Sequence, residues 1–549
     1  MQYIFGRVKY MKITNAKIIS SLEKIYNEDG MPEKALSFFS MLKNEKKSFQ
    51  VAVEADEAGE VPFSVICDLK NIEISSVNHI KSELPMFKKN ADDYYRFSKN
   101  GMYPDLLIPA GETVRLEKGI TVFWVEINAS ENTAGKYCVE VKVGDRSLSL
   151  ELEIIDALLD FSDFAYTCWF HTDCLMTYYN FEAFSDEYWR VTENFLRTAN
   201  EYGQNCVLTP IFTPALDTEK GKERPTVQLV DVTLEKGEYS FNFDKLTRWI
   251  EMAESCGIRF FELSHFYTQW GAKATPKIMA TVDGEYKRLF GWDVKSTSGA
   301  YKKFLDVFSV ELKKYFEDRN MKDRVFIHVS DEPSYFMNFT YRNVSRYIHK
   351  LFKGYKIIDA LSDYRFYDKG VVSNPVPSID HIDKFIGNVD NLWAYYCSAQ
   401  CNHFVANRFF CNDSIRTRVI GYQLYKFNIR GFLQWGYNFY YTRLSKKAIN
   451  PFEVSDAGGA FPSGDSYMVY PAPDGTAYHS LRLKVFYDAL QDRAALSTLE
   501  KLCGKETCLD IIEEKGRYNL TFREYPHDDE WLLNTREQVN MRIKAEISK

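Results

Sequence analysis

From about residue 158 onward, short apolar runs alternate with longer segments of helical periodicity, and this alternation restricts the chain to an α/β fold. The runs have the length of buried parallel strands, and the segments between them are long enough for crossover helices. Eight such runs favour a closed (β/α)8 barrel, with an open doubly wound sheet as the alternative. The predicted barrel strands cover residues 165–171, 205–211, 258–265, 324–332, 356–361, 371–376, 392–397 and 431–437.

Residues 12 to about 155 follow a different pattern, in which apolar and polar residues alternate with a period of two between Gly, Asn, Asp and Pro. This pattern predicts a β-sandwich. From about residue 478 the sequence is mostly helical. The predicted fold is therefore multidomain, with an all-β sandwich at 1–157, a (β/α)8 catalytic barrel at 158–495 and a helical C-terminal cap packed on the barrel at 496–549.

Charge and hydropathy exclude several classes of partner. The 549 residues carry a net charge of −7 without a basic run, which argues against binding to nucleic acid. No segment approaches the roughly 18 consecutive apolar residues of a membrane helix, so no membrane partner is expected. The first residues lack a signal-like apolar segment, which predicts a cytoplasmic location. The sequence leaves the oligomeric state open.

The eleven cysteines contain no CxxC pair, and reduced thiols fit the predicted compartment. The nearest approach to a metal cluster is Cys397, Cys401, His403 and Cys411, but zinc sites usually show tighter paired spacing. No metal is therefore predicted. The sequence also lacks a GxGxxG motif after a strand, a P-loop, an HExxH motif and a GxSxG elbow, which removes the readily recognised cofactor and serine-hydrolase classes.

Two adjacent carboxylates, Asp331 and Glu332, follow the fourth predicted barrel strand directly. Active sites of (β/α)8 barrels lie at the C-terminal ends of the strands. Two carboxyl groups this close to an apolar core cannot both ionise easily, so the pKa of one is expected to rise, which suits a general acid. Pro333 is expected to hold Glu332 in an extended conformation. The alternative interpretation is an acidic pair that caps the next helix and faces water.

Aromatic residues make up 15 % of the chain, and aromatic faces can stack on the C–H faces of sugars. Rings and polar side chains gathered around a carboxylate pair are typical of a sugar-binding subsite, although core packing is the commoner role for any single ring. The long connections 212–243 and 266–299 are predicted to form walls or lids, and 457–475 is either a substrate loop or a structured turn. The candidate substrate-binding residues are Trp169, His171, His265, Trp270, Tyr395, Tyr396, Trp435, Tyr437 and Asp465.

Four segments together resemble glycoside hydrolase family 123 and its close relatives. They are SDEP at 330–333, GFLQWGYN at 431–438, PSGDSYMVYPAPDG at 462–475 and SLRLKVFYDALQD at 480–492. The resemblance covers about residues 160–545, and NTAGKY at 132–137 is similar to the sandwich that precedes the family's barrel.

The resemblance implies a retaining exo-β-N-acetylgalactosaminidase in which the substrate's own 2-acetamido group is the nucleophile, an exception to the two-carboxylate scheme. By this resemblance Glu332 is the general acid and base, and Asp331 holds the acetamido group. Either Tyr395 or Tyr396 binds the acetamido oxygen, and Trp435 forms an apolar wall. No cofactor is implied, and the substrate is an oligosaccharide or glycoconjugate with a terminal β-linked N-acetylhexosamine, of galacto or gluco configuration.

Two other functions remain open on the sequence. One is a retaining glycosidase that uses a protein carboxylate as nucleophile on another sugar. The other is a carbohydrate-binding protein without catalytic activity.

Overall fold

A computed structural model describes residues 11–89, 91–333 and 338–549, and its strands and helices are numbered here along the chain. The first ten strands form two largely antiparallel sheets, with apolar side chains such as Phe49, Val125 and Val141 buried between them. These strands are β1 Ile13–Ser20, β2 Phe38–Leu42, β3 Lys46–Ala55, β4 Gly59–Ile66, β5 Ile72–Ser82, β6 Gly101–Pro109, β7 Thr113–Leu116, β8 Gly119–Asn128, β9 Gly135–Val143 and β10 Arg146–Ile155. The predicted period-two alternation accounts for strands such as β9 and β10, in which alternate side chains are buried, whereas β3 is buried on both faces.

Eight parallel strands form the barrel, and each lies inside one of the eight predicted segments. They are β11 Ala165–Cys168, β12 Cys206–Thr209, β15 Phe260–Leu263, β18 Val325–Ile327, β19 Lys356–Ala360, β20 Asn374–Val376, β21 Trp393–Tyr395 and β22 Gly431–Gln434. The strands from β11 to β20 pair in chain order, β21 pairs with β22, and β22 pairs with β11. A parallel bridge between Ser378 and Tyr395 joins the ends of β20 and β21. The barrel prediction is confirmed, and the open doubly wound alternative is wrong.

Helices connect the barrel strands and continue into the C-terminal region. A hydroxyl cap starts α2, where the Ser185 side chain accepts a hydrogen bond from the Tyr188 backbone. In the described part of the chain, no helix combines the length and apolar character needed to cross a membrane. The helices are α1 Thr172–Tyr179, α2 Asp186–Glu201, α3 Asp244–Ser255, α4 Gly299–Glu317, α5 Asn338–Leu351, α6 Arg365–Asp368, α7 Ser414–Arg418, α8 Ile420–Lys426, α9 Leu481–Cys503, α10 Lys505–Ile512 and α11 Asp529–Ile547.

The two long connections contain a small sheet of their own. Its strands are β13 Asp231–Glu235, β14 Glu238–Asn242, β16 Ile278–Val282 and β17 Glu285–Phe290, in the order β14-β13-β16-β17. Two hairpin turns, Lys236-Gly237 and Asp283-Gly284, have positive φ at both residues, as type I′ turns require. The connections are therefore structured, and the segments between their barrel strands and this sheet reach the site described below.

A short hairpin before α9 joins the barrel to the sandwich. It consists of β23 Tyr470–Pro471 and β24 Ala477–Ser480, and β24 pairs with β6. The larger sandwich sheet thus runs β1-β3-β8-β5-β6-β24-β23. The buried guanidinium of Arg482 lies just beyond and donates two hydrogen bonds to Asp105, at 2.7 and 2.9 Å. Helix α11 packs against both α9 and β2, so the C-terminal region contacts both parts of the molecule.

Candidate active site

A cavity of about 120 Å³ lies at the C-terminal ends of the barrel strands. Seven of the eleven candidate residues line it, namely Trp169, His171, Trp270, Asp331, Glu332, Tyr395 and Trp435. Further lining residues were not predicted, and these are Leu216, Asp217, Gln269, Ala360, Cys397, Ser398, Leu433, Phe439 and Phe461. Residues from both long connections and from the 457–475 segment are therefore part of the cavity wall.

Two candidate tyrosines lie in the hydrophobic core and do not line the cavity. The Tyr396 ring lies 4.9 Å from the Phe432 ring, on the side of the strand opposite to Tyr395. This follows from strand geometry, because successive side chains point to opposite faces. Tyr437 stacks on Phe170 at 5.6 Å, and its hydroxyl donates to a backbone carbonyl in α2.

His265 and Asp465 lie behind the lining side chains. The His265 ring stacks at 4.2 Å on His328, and burial holds its pKa well below the usual value. The Asp465 carboxylate accepts a 2.9 Å hydrogen bond from the Trp435 indole N–H, and burial raises its pKa to about 7. Asp465 thus fixes the orientation of a ring that lines the cavity.

The backbone holds the carboxylate pair at the edge of the barrel. The Trp270 N–H donates to the Asp331 carbonyl, and the Glu332 N–H donates to the Ala360 carbonyl, both at 3.1 Å. The Tyr395 hydroxyl donates to Glu332 Oε1 at 2.7 Å. The pair is therefore fixed by neighbouring strands on both sides.

Both carboxyl groups have raised pKa values. Asp331 is half-buried, and burial followed by the neighbouring Glu332 charge raises its pKa well above the usual value. The Glu332 side chain is partly open to the cavity, but the surrounding protein atoms still raise its pKa by desolvation. The Tyr395 hydrogen bond acts in the opposite direction and favours the ionised form of Glu332.

The expectation that Pro333 holds Glu332 extended is wrong, because Glu332 has a φ of +41°. Its backbone hydrogen bond to β19 and its side-chain bond to Tyr395 outweigh the preference of a residue before proline. Asp217 and Trp270, which line the same cavity, also have positive φ, at 42° and 56°. Strained non-glycine residues of this kind concentrate at functional sites.

A buried charged group beneath the pair was missed in the sequence. The His328 Nε2–H donates to Glu262, and its Nδ1 lies 3.4 Å from Asp359 Oδ1. Burial acts to lower the pKa of His328, but the two carboxylates outweigh it and raise the pKa to about 9. The imidazole is therefore positively charged at neutral pH. The available signal was a charged residue inside each of three apolar strand segments.

This group also supports the cavity wall. Glu262 accepts hydrogen bonds from the Trp169 indole at 2.8 Å and from the Thr167 hydroxyl at 2.7 Å. Asp359 accepts a 2.9 Å bond from the Val329 backbone N–H, two residues before Asp331. The orientation of Trp169 and the path of the backbone towards the carboxylate pair therefore depend on the buried charges.

Residues 169–499 match the protein family described as glycoside hydrolase 123, catalytic domain, and this match spans more than half of the chain. The chain belongs to glycoside hydrolase family 123. A solved family 123 glycoside hydrolase from Clostridium perfringens, studied for glycolipid glycan hydrolysis, has a similar fold, with a TM-score of 0.72 at 16 % identity over 98 % of both chains.

A solved putative α-galactosidase from Bacteroides fragilis aligns with the present chain at 8 % identity. The alignment covers 85 % of the present chain and 78 % of the α-galactosidase. Its TM-score of 0.25 is too low to carry an argument. No curated protein sequence matches the chain.

His171 is held in one protonation state in this family 123 barrel. Arg224 makes a bidentate ion pair with Asp173, with both distances at 2.7 Å, and also donates to His171 Nδ1 at 3.2 Å. Burial, reinforced by the Arg224 charge, lowers the pKa of His171 to about 3. The ring is therefore neutral, and its Nε2–H donates to the Trp435 carbonyl at 2.9 Å. Both ring nitrogens of His171 are thus occupied by hydrogen bonds, one with Arg224 and one with the Trp435 backbone.

The cysteines of the family 123 chain are free thiols. Cys397 lines the cavity, and burial raises its pKa well above the usual value, so the thiol is protonated. Across the described ranges, no group of three or more His, Cys, Asp or Glu side chains is arranged to hold a metal ion.

Asp217 is the third carboxylate in the cavity wall. Its Oδ2 accepts a 2.9 Å hydrogen bond from the Leu444 N–H, and burial raises its pKa to about 6. The site thus offers an adjacent acid pair at one strand end and one separate carboxylate that follows β12. This arrangement can supply a general acid, a charged or hydrogen-bonding partner, and aromatic faces for a sugar.

Proposed function

We propose that the chain is a retaining exo-β-N-acetylgalactosaminidase that uses substrate-assisted hydrolysis. The observation that carries this proposal is the adjacent pair Asp331 and Glu332, which lines one cavity with aromatic walls. A nucleophile supplied by the sugar itself removes the need for an enzyme carboxylate on the opposite face of the ring. Both members of the pair can then act from one side.

Glu332 protonates the glycosidic oxygen as the bond to the anomeric carbon breaks. The carbonyl oxygen of the 2-acetamido group attacks that carbon from the opposite face and gives an oxazolinium ion. Asp331 accepts a hydrogen bond from the acetamido N–H and stabilises the positive charge. Glu332 then removes a proton from water, which attacks the anomeric carbon as the bond from that carbon to the acetamido oxygen breaks. This second displacement restores the original configuration and frees the acetamido group.

Substrate binding also sets the proton on the correct carboxyl group. The Tyr395 hydroxyl donates to Glu332 and favours its ionised form, while the pKa of Asp331 is raised well above its usual value. An acetamido N–H that donates to Asp331 favours its ionised form. If the Tyr395 hydroxyl turns to the acetamido oxygen, the ionised form of Glu332 loses its hydrogen bond. Both changes move the shared proton from Asp331 to Glu332.

The rival mechanism needs a protein nucleophile, and Asp217 is the lining carboxylate available for it. Retaining enzymes of that type place their two carboxyl groups about 5–5.5 Å apart across the sugar. Under substrate assistance Asp217 only contacts the sugar, and Asp217→Asn lowers kcat/KM about tenfold, the equivalent of one hydrogen bond. A nucleophile variant instead loses nearly all turnover, and added azide restores it.

The deciding test is hydrolysis of para-nitrophenyl β-N-acetylgalactosaminide, β-N-acetylglucosaminide and β-galactoside. We expect turnover of the acetamido sugars only, with a loss of about 10²–10⁴-fold in Glu332→Gln. The exposed Glu506 provides the matched control Glu506→Gln. Turnover of the plain galactoside contradicts substrate assistance. Sugar binding without any turnover supports a carbohydrate-binding protein.

A further inference from the structure

An open groove lies beside the cavity, on the other side of the catalytic acid. Its volume is about 990 Å³, roughly eight times that of the cavity. Among the residues that the structure describes, the linings of the two spaces share only Glu332 and Tyr395. These two side chains therefore lie between a small aromatic cavity and a larger space that both charged and apolar side chains line.

The position of the general acid determines what the groove can hold. Glu332 must approach the glycosidic oxygen to within about 2.6–3.2 Å to protonate it. One side of that oxygen is the terminal sugar, which occupies the cavity. Whatever is bonded to the other side leaves the cavity past Glu332 and enters the groove.

Charged side chains that pair with one another line the groove. Arg523 donates to Asp383 at 2.7 Å and to the Asp380 carbonyl. The Asp380 carboxylate contacts His381 at 2.9 Å and accepts a 3.0 Å hydrogen bond from Gln400. Besides Glu332, the described lining contains three acidic and three basic side chains, namely Asp363, Asp380, Asp383, Arg365, Lys384 and Arg523. Because these negative and positive groups offset each other, they select neither a cation nor an anion. They instead offer charge-assisted hydrogen bonds to hydroxyl groups.

Arg523 lies outside the matched catalytic domain, in the segment between α10 and α11. That segment is held by a turn in which the Thr521 hydroxyl accepts from the backbone of Arg523 and Glu524, at 3.1 and 2.8 Å. The Tyr525 hydroxyl in this segment donates a hydrogen bond to the Phe404 carbonyl at 2.6 Å. The C-terminal region therefore supplies a fixed wall next to the catalytic acid.

We propose that this groove binds a neutral oligosaccharide as the leaving group, and that Arg523 and Asp383 determine the preference for it. The proposal rests on the proposed function, because it assigns the side of Glu332 from which the leaving group departs. Binding energy from this remote part of the substrate can be used at the reacting centre. A sugar chain in the groove should therefore raise kcat/KM relative to a small aryl group.

The test compares two substrates with the same terminal β-linked N-acetylgalactosamine, one carrying para-nitrophenol and the other lactose. In Arg523→Gln and Asp383→Asn, kcat/KM for the trisaccharide should fall about tenfold more than kcat/KM for the aryl glycoside. The double variant should lose less than the two single losses combined, since the residues form one ion pair. Arg517→Gln, an exposed arginine in the same region, should leave both values at the wild-type level.

Equal losses on both substrates, or none, overturn the proposal. A wild-type preference for an alkyl glycoside over the trisaccharide overturns it in favour of an apolar leaving group. Failure of the proposed function appears separately, as wild-type protein that does not hydrolyse the aryl glycoside. In that case, saturation-transfer NMR of lactose tests whether the groove binds a sugar. Weaker lactose binding by Arg523→Gln than by Arg517→Gln supports the proposed sugar site. Equal binding by the two variants, or no binding, overturns it.

Discussion

The core of the sandwich and the end of the barrel are both buried, but they differ in what they bury. Between the two sandwich sheets the buried side chains are apolar, as at Phe63, Phe123 and Val125. The barrel buries the ionisable side chains of Glu262, His328 and Asp359 completely. The first region is built for packing, whereas the second holds charges where packing alone would be more stable.

Buried charge is costly unless it is paired, and breaking such a pair costs more than replacing it with apolar residues. His328 partly offsets its two carboxylate neighbours. The raised pKa of Asp331 indicates that its charge lacks an equivalent cation. The unpaired acid at the barrel end therefore lowers stability in favour of chemistry, and replacing Asp331 should have effects on stability and turnover opposite to those of replacing a sandwich core residue.

The largest expected contrast is between Asp331→Asn and Phe123→Ala. Asp331→Asn should lower kcat about 10³-fold, since an electrostatic partner of the transition state is lost. The pKa of Asp331 is higher in the folded than in the unfolded protein, so this residue destabilises the fold at pH values above its unfolded-state pKa. The Tm of Asp331→Asn should therefore be higher than that of wild type at pH 7 and equal to it at pH 4. Steady-state kinetics and calorimetry at both pH values measure this.

Phe123→Ala should instead lose about 3–5 kcal/mol of unfolding free energy and keep its kcat per folded molecule. The centres of the Phe123 and Phe63 rings lie 4.7 Å apart. Both residues belong to the sandwich and precede all the cavity residues in the sequence. If Phe123→Ala also abolished turnover at full folding, or if Asp331→Asn lowered Tm at pH 7, the contrast between the two regions would not hold.

A second substitution, His328→Gln, acts on stability and on pH dependence together. It leaves Glu262 and Asp359 buried without their shared cation, and should cost about 3–5 kcal/mol in urea unfolding. The pKa of His328 in the folded protein is about 9, above its usual value of 6.5. Its stabilisation is therefore present below pH 6.5 and is lost as the pH rises through 9.

Wild-type unfolding free energy should thus decline over this pH range, and the decline should be weaker in His328→Gln. The double variant with Glu262→Gln should recover part of the loss at neutral pH, because one unpaired buried charge is removed. A single variant as stable as wild type at pH 7 would argue against a charged imidazole.

The smallest expected effect concerns thiol reactivity. Cys138 is exposed on the sandwich, whereas the cavity thiol Cys397 has a pKa raised by burial. Since the thiolate is the reactive form, iodoacetamide at pH 7.5 should label Cys138 first without loss of activity. Peptide mass spectrometry over a time course measures the order. Early labelling of Cys397 with loss of activity would contradict the protonated state assigned to it.

The barrel could be predicted because parallel strands that are buried on both faces appear in the sequence as short continuous apolar runs. All eight predicted segments, including 356–361 and 371–376, contain a strand. The sheet in the long connections was missed, although Asp283-Gly284 between alternating residues is a strong hairpin signal. The pairing of β24 with β6 joins segments about 370 residues apart, and no local pattern encodes it.

The candidate site was predictable where strand geometry alone decides the direction of a side chain. Tyr395 and Tyr396 could have been separated by the alternation along the strand. The group around His328 required knowing that β15, β18 and β19 are neighbours, which becomes clear only once the barrel closes. The positive φ of Glu332 depends on tertiary hydrogen bonds that a local proline rule does not include.

The hairpin β23–β24 determines whether the barrel of this enzyme can be separated from its sandwich. Its pairing with β6 is reinforced by Tyr470, whose hydroxyl donates to Asp105, and by Lys484, which contacts Glu126 at 2.9 Å. A gene fragment that begins after the sandwich would lose Asp105 and Glu126, and would leave an exposed strand edge and the unpaired cations of Arg482 and Lys484. The barrel is therefore not expected to fold as an isolated domain. A chimeric protein that receives this barrel must receive its sandwich domain as well.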